Sequence, residues 1–144
     1  MHVRLLLLLV ATILPAPMVS GGELSDLDTG TYEMLRADGS PSGSLYRLSR
    51  SGNKWVVNGK LPGKDWKDIS CDLGCEYRNS SKREIQSYFP PDWRESNEIA
   101  CIQNVAQAFC RFTPFNDSSK RGYIFFALVT GKPIPVRTRR LIDH

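Results

Sequence analysis

Apolar and polar positions change rhythm several times along this chain, and each rhythm predicts a different element. The first is an apolar run from Leu5 to Leu14, led by Met1-His2-Val3-Arg4 and ended by Pro15 and Pro17. Small residues follow at Ser20, Gly21 and Gly22. A charged start, an apolar stretch of about 7–15 residues and a small-residue junction are the parts of a cleavable export signal. A membrane-spanning helix needs roughly 18 or more apolar residues, so this run is too short to be one. The expected division is a signal peptide over 1–21 and one domain over 22–144.

Beyond a polar lead-in, Glu23 to Asp28, short segments alternate with clusters of turn residues. Tyr32 and Met34 recur with period two between Gly30 and Arg36, as on a half-buried strand. Ser44 to Ser49 sets Tyr46 and Leu48 against Leu45 and Arg47, and Trp55-Val56-Val57 continues the strand rhythm. Ser51-Gly52-Asn53-Lys54 between them reads as a hairpin turn, since Gly and Asn tolerate positive φ.

The middle of the chain changes to a helical stride. Ser81-Lys82-Arg83-Glu84 matches a capping box. The helix it opens carries Ile85, Tyr88 and Phe89 and stops at Pro90-Pro91. Glu98 to Phe112 fits both periods. Ile102, Val105, Phe109 and Phe112 fall at helical spacing, while Ala106, Ala108, Cys110 and Phe112 alternate; Ala106-Gln107-Ala108 tips the reading toward helix. Gly122 to Val129 is nearly all apolar, as in a central strand covered on both faces. Ile134 to Leu141 returns as a strand that Pro133 and Pro135 confine to an edge. The expected fold class is α+β, mostly antiparallel sheet of about five to six strands with one or two short helices.

Composition adds a core and staples. Three Trp, six Phe and five Tyr all lie beyond the leader, enough apolar material for an ordered domain of about 120 residues. Loss of Arg4 with the leader takes the formal charge from +4 to +3, which suits solubility and excludes a strongly nucleic-acid-directed surface. Cys71, Cys75, Cys101 and Cys110 are an even set in an exported chain and imply two disulfides. Of the three possible connectivities the local pairs, Cys71 with Cys75 and Cys101 with Cys110, are preferred. The spacings C-x3-C and C-x8-C do not form a zinc knuckle or ribbon.

Absent residues narrow the chemistry. The two histidines, His2 and His144, stand at the ends. The domain therefore has poor means for Ser-His or Cys-His nucleophilic catalysis and for His-based metal ligation. It also has no P-loop, G-x-G-x-x-G turn or G-x-S-x-G elbow. Asp65, Asp68 and Asp72 do not follow the order of a calcium loop. Neither a cofactor nor a metal is expected. Paired-carboxylate hydrolysis survives on Asp65, Asp68, Asp72, Glu76, Glu84, Asp92, Glu95 and Glu98, although these alternate with Lys and Arg as ordinary surface does. Asn79-Ser80-Ser81 and Asn116-Asp117-Ser118 are glycosylation sequons, relevant in a eukaryotic secretory route.

A small exported chain without a catalytic signature points to binding. Trp66 and Trp93 stand among charged neighbours, and Arg137, Arg139 and Arg140 cluster near the C-terminus. Trp, Tyr and Arg dominate the energetics of protein interfaces. Ser42-Gly43-Ser44-Leu45-Tyr46, followed by Trp55 and Gly59, resembles the Ser-Gly-x-x-Tyr segment of periplasmic C-type lysozyme inhibitors. In that family the segment helps to plug the enzyme's cleft. Here the likeness covers under a fifth of the chain, and most of the domain follows it. The expected function is a periplasmic or extracellular non-enzymatic binding protein: an inhibitor or immunity protein that neutralises a lytic enzyme or toxin of the cell envelope. Its expected contacts are Tyr46, Trp66, Trp93, Arg137, Arg139 and Arg140. The alternative is a small secreted glycan-cleaving hydrolase.

Overall fold

Turn residues set the order of the strands. Ser51 pairs with Lys54 across Gly52-Asn53, and Gly52 takes φ 61°, the left-handed conformation that a two-residue hairpin requires. Asn104 accepts the amides of Ala106 and Gln107 on its side-chain oxygen, at 2.9 and 3.0 Å, and reverses the chain there.

The computed structural model describes residues 22–70 and 76–142. Their strands are β1 (Gly30–Leu35), β2 (Pro41–Ser51), β3 (Lys54–Lys60), β4 (Lys67–Asp68), β5 (Arg78–Asn79), β6 (Asn97–Gln103), β7 (Gln107–Pro114), β8 (Gly122–Ala127) and β9 (Ile134–Leu141). Helices α1 (Lys82–Tyr88) and α2 (Pro91–Ser96) lie between β5 and β6. The sheet order is β4-β3-β2-β1-β9-β8-β7-β6-β5, and every neighbouring pair is antiparallel.

The sheet curls until its two halves share one interior. Tyr32, Tyr46, Leu48 and Val57 from β1–β3 pack with Ile102, Phe109 and Phe125 from β6–β8. Ring centroids meet at 4.8 Å for Tyr32 with Phe109 and 5.0 Å for Tyr46 with Phe125. Burial pushes the phenols of Tyr32 and Tyr46 well above their ordinary range. They therefore serve as neutral hydroxyls. The opposite face of β6–β8 carries Ile99, Cys101, Ala108, Cys110 and Phe126, covered by Ile85, Tyr88 and Phe89. Alternate residues of β6–β8 thus face two different cores, and β8 is covered on both sides as its composition requires.

One end of this half-barrel is closed by the N-terminal segment. Ser25 and Asp28 form a capping box around a single 3₁₀ turn, Asp26–Asp28. Asp28 is fully buried and accepts bonds from Arg111 Nη1 at 2.8 Å, the Tyr123 hydroxyl at 3.0 Å and the Ser25 amide at 2.8 Å. Arg111 also reaches Glu98 Oε1 at 3.3 Å. Arg140 fastens the same segment through the carbonyls of Leu27 and Thr29, at 3.0 and 2.7 Å. The residues expected as a polar lead-in are therefore a plug.

Several expectations need correction. Among the described residues there are nine strands, not five to six: β4 and β5 are two residues each and leave no periodic trace, and the 98–112 segment supplies β6 and β7. The 98–112 segment is a hairpin rather than a helix: burial of β6 and β7 on both faces puts apolar residues at successive positions, Ile99 to Ile102 and Ala108 to Cys110, and so blurs the period of two. Strand β9 lies inside the sheet rather than at its edge. It pairs with β8 over Ile134–Arg137 and with β1 over Thr138–Leu141, so Pro135 falls where only β8 is paired. Pro90-Pro91 ends α1 as expected, but Pro91 then opens α2 at its first position. One disulfide, Cys101–Cys110, joins directly opposed residues of β6 and β7. The pair expected at Cys71 and Cys75, and the leader over 1–21, lie outside the described residues.

Two outcomes follow. Arg111→Met strands the buried Asp28 carboxylate and should destabilise the domain by about 3–5 kcal/mol in urea unfolding. Glu84 accepts two bonds from Arg78, at 2.9 and 2.6 Å, and one from the Ser81 amide at 2.8 Å. The Arg78 guanidinium leads in lowering its carboxyl from 4.5 to about 2. A lowered folded-state value gives stability that is complete above pH 4.5 and lost as pH falls toward 2. Glu84→Gln should flatten that part of the stability profile; an unchanged acid slope would remove Glu84 from the account.

Candidate functional site

The residues expected to bind a partner do not form one surface. Tyr46 is 2% exposed, and its hydroxyl meets that of Tyr77 at 3.2 Å, so it belongs to the core. Trp66 is half-buried beneath the Arg47 guanidinium, 4.0 Å from its ring. Trp93 is 37% exposed and packs on Phe112 and Phe89, at 4.9 and 5.8 Å. Trp66 stands against β2 and Trp93 against β7, with β1, β9 and β8 between them in the sheet order. The three arginines hold β9 in place. Arg137 donates to the Ala37 carbonyl, Arg139 pairs with Glu33 at 2.5 Å, and Arg140 holds the plug.

The acidic stretch also disperses. Glu76 pairs with Lys54 at 3.3 Å and Glu84 with Arg78, while Asp65, Asp68 and Asp92 are exposed. Asp72 lies outside the described residues. Backbone and side-chain bonds from Ser70 lower the Asp68 carboxyl; an Asx turn accounts for that. Among the described residues no three His, Cys, Asp or Glu side chains gather as a metal site, and no helix is long and apolar enough to cross a membrane.

What the fold does bring together is a groove of about 960 Å³ beside β6. Five consecutive residues, Asn97 to Cys101, form its floor. Helices α1 and α2 supply one wall through Lys82, Ile85, Pro91, Arg94 and Glu95, and the plug supplies the other through Gly22 and Glu23. Phe115 stands at its mouth. That ring is 68% exposed, and its backbone is fixed by its amide bond to the Ser96 carbonyl at 3.0 Å.

Local chemistry explains why the groove exists. The capping box at Ser81 starts α1 immediately after β5, so the chain leaves the sheet before it can cover the lower half of β6. Pro91 starts α2 at once, and Asn97 ends it by donating from Nδ2 to the Trp93 carbonyl at 2.9 Å. The helices thus stand off the edge of β6 instead of lying along it. Glu23 is held by Asn79 at 3.0 Å and Glu98 by Arg111, which places two carboxylates opposite a helix wall that mixes Ile85 and Pro91 with Lys82, Arg94 and Glu95.

Of the groove's surroundings the sequence singles out Trp93 as a binding candidate and Glu95 and Glu98 as acidic candidates, but neither Phe115 nor Ile99. An aromatic between Pro114 and Asn116, in a turn, was the available sign for Phe115. Ile99 carries none, because its place at an open edge depends on where β5 stops. The separation of core from surface predicts that Tyr46→Ala destabilises by about 3–5 kcal/mol. Phe115→Ser should stay within about 0.5 kcal/mol of wild type in the same denaturation assay. Comparisons of the chain with protein-family models, with curated proteins and with solved structures find no match.

Proposed function

We propose that the protein is exported and acts by binding another protein on the face that holds the β6 groove, as an inhibitor or immunity protein for a lytic enzyme or toxin of the cell envelope. The observation that carries this reading is the groove itself. It is open and walled by an exposed aromatic and by charges of both signs. Exposed aromatic and Arg side chains around a concave surface are the usual anchors of protein interfaces. The leader-like N-terminus and the Cys101–Cys110 disulfide agree with an oxidising destination.

A second reading keeps one specific support. Glu23, Glu95 and Glu98 line the same groove, and glycan hydrolysis needs two carboxylates facing one substrate.

The test uses oxidised mature protein, residues 22–144, as bait for envelope and secreted fractions. A retained hydrolase whose activity falls stoichiometrically on binding is the expected outcome. Phe115→Ser and Lys82→Glu should each weaken capture and inhibition at least tenfold, whereas Trp66→Ala, against β2 and away from the groove, leaves both unchanged. Loss on Trp66→Ala alone would move the interface away from the groove. Glycan cleavage by the protein itself, abolished by Glu95→Gln, would establish the hydrolase.

A further inference from the structure

Two backbone bonds determine which groups of β6 face the groove. The Phe115 amide donates to the Ser96 carbonyl and the Asn104 amide to the Gln107 carbonyl, each at 3.0 Å. Hydrogen-bonded and non-bonded pairs alternate along an antiparallel ladder. Residues 96, 98, 100, 102 and 104 therefore exchange bonds with β7, and Asn97, Ile99, Cys101 and Gln103 turn theirs the other way. On that other side β5 stands opposite Ile102 and Gln103, and the Ser80 amide donates to the Cys101 carbonyl at 2.8 Å. The chain then departs into α1. Among the described residues no strand stands beside Ile99 and none bonds its N–H or C=O, which face the groove.

Open edges are usually blunted by charge, proline or a bulge. This one is instead walled by helices on one side and by the plug on the other. Such walls hinder the approach of a whole sheet and leave room for a single chain. We infer that the groove takes one extended segment of a partner protein, which adds to the sheet as a strand beside β6 and bonds the Ile99 backbone. Backbone pairing of this kind gives affinity, and the pockets for alternate side chains give specificity.

The two faces of β6 define those pockets. Ile99 belongs to the core under the helices, so alternate residues of the added strand meet Ile99, Ile85 and Pro91. Glu98 and Ala100 point to the other face, where the carboxylates of Glu98 and Glu23, each bonded through Oε1 to Arg111 and Asn79 respectively, border the groove. A segment alternating apolar residues with Lys or Arg matches both. This deepens the proposed function and rests on the same groove, but it commits to a backbone contact that side-chain docking does not need.

The free protein offers a first check: the Ile99 amide should exchange with deuterium much faster than those of Ala100 and Ile102, although its side chain is buried. Equally slow exchange at all three would overturn the open edge. The second check titrates the mature protein with a decapeptide alternating Val and Lys, followed by fluorescence anisotropy. Two copies of the peptide are N-methylated, each on one of its alternate sets of amides. The expected result is saturable binding, slowed exchange at Ile99, and at least tenfold loss with one methylated copy but not the other. No binding at millimolar peptide, equal binding of all three peptides, or unchanged exchange at Ile99 would overturn strand addition. Self-association that protects Ile99 without peptide would assign the edge to a second copy of this chain and overturn the heterologous partner. If a captured enzyme is lost on Phe115→Ser yet leaves Ile99 exchange unchanged, groove docking stands and strand addition falls. If the peptide protects Ile99 while no enzyme is retained, strand addition stands and the inhibitor reading falls.

Discussion

The buried pair of Asp28 and Arg111 is the contact on which the remaining architecture depends. A carboxylate with no exposure is tolerable only when its lone pairs are filled, and Asp28 fills them with Arg111, Tyr123 and the Ser25 amide. Those partners come from β7, β8 and the plug, and the plug lies far along the chain from the two strands. Tyr32 adds β1 by donating to the Asp28 carbonyl. A single acidic side chain therefore ties the N-terminal segment across the end of the barrel, and it does so where a hydrophobic plug would have had less directional preference.

That closure shapes the groove. Arg111 holds Glu98, and its second guanidinium nitrogen also reaches the Glu23 carbonyl at 3.4 Å. The plug is thereby kept along one side of β6 while the helices stand on the other. The Cys101–Cys110 bond lies beneath the helices and fixes β6 to β7 at the floor. The groove is thus bounded by segments that an ion pair and a disulfide hold in place. A preorganised edge loses little freedom on binding, which favours affinity.

Strand β9 shows how the curl is made. Its first half extends the helix-covered half of the sheet and its second half extends the other, so the change of partner occurs near Arg137 and Thr138. Arg139 with Glu33 and Arg137 with the Ala37 carbonyl brace the corner from outside. Residues that look like a basic binding strand are the fastening of a bend, and Tyr46, in the segment that resembles an inhibitor loop, is one of the rings inside it.

Local chemistry alone determined several elements of this protein. Gly52-Asn53 makes its hairpin, Ser81 and Glu84 cap α1, and the apolar run of β8 demands cover on both faces, because each depends on neighbours a few residues away. Alternation at Tyr46 and Leu48 likewise marks the inner face of β2. Tertiary structure decided the rest. Whether 98–112 was helix or hairpin depended on two cores meeting across one sheet, which erases period two. Whether Pro135 marked an edge depended on β9 changing partners. Glu23 to Asp28 became a plug only because Arg111 waits inside the barrel. The open backbone of Ile99 exists because β5 stops after Asn79, and no side-chain pattern in β6 records the length of its neighbour.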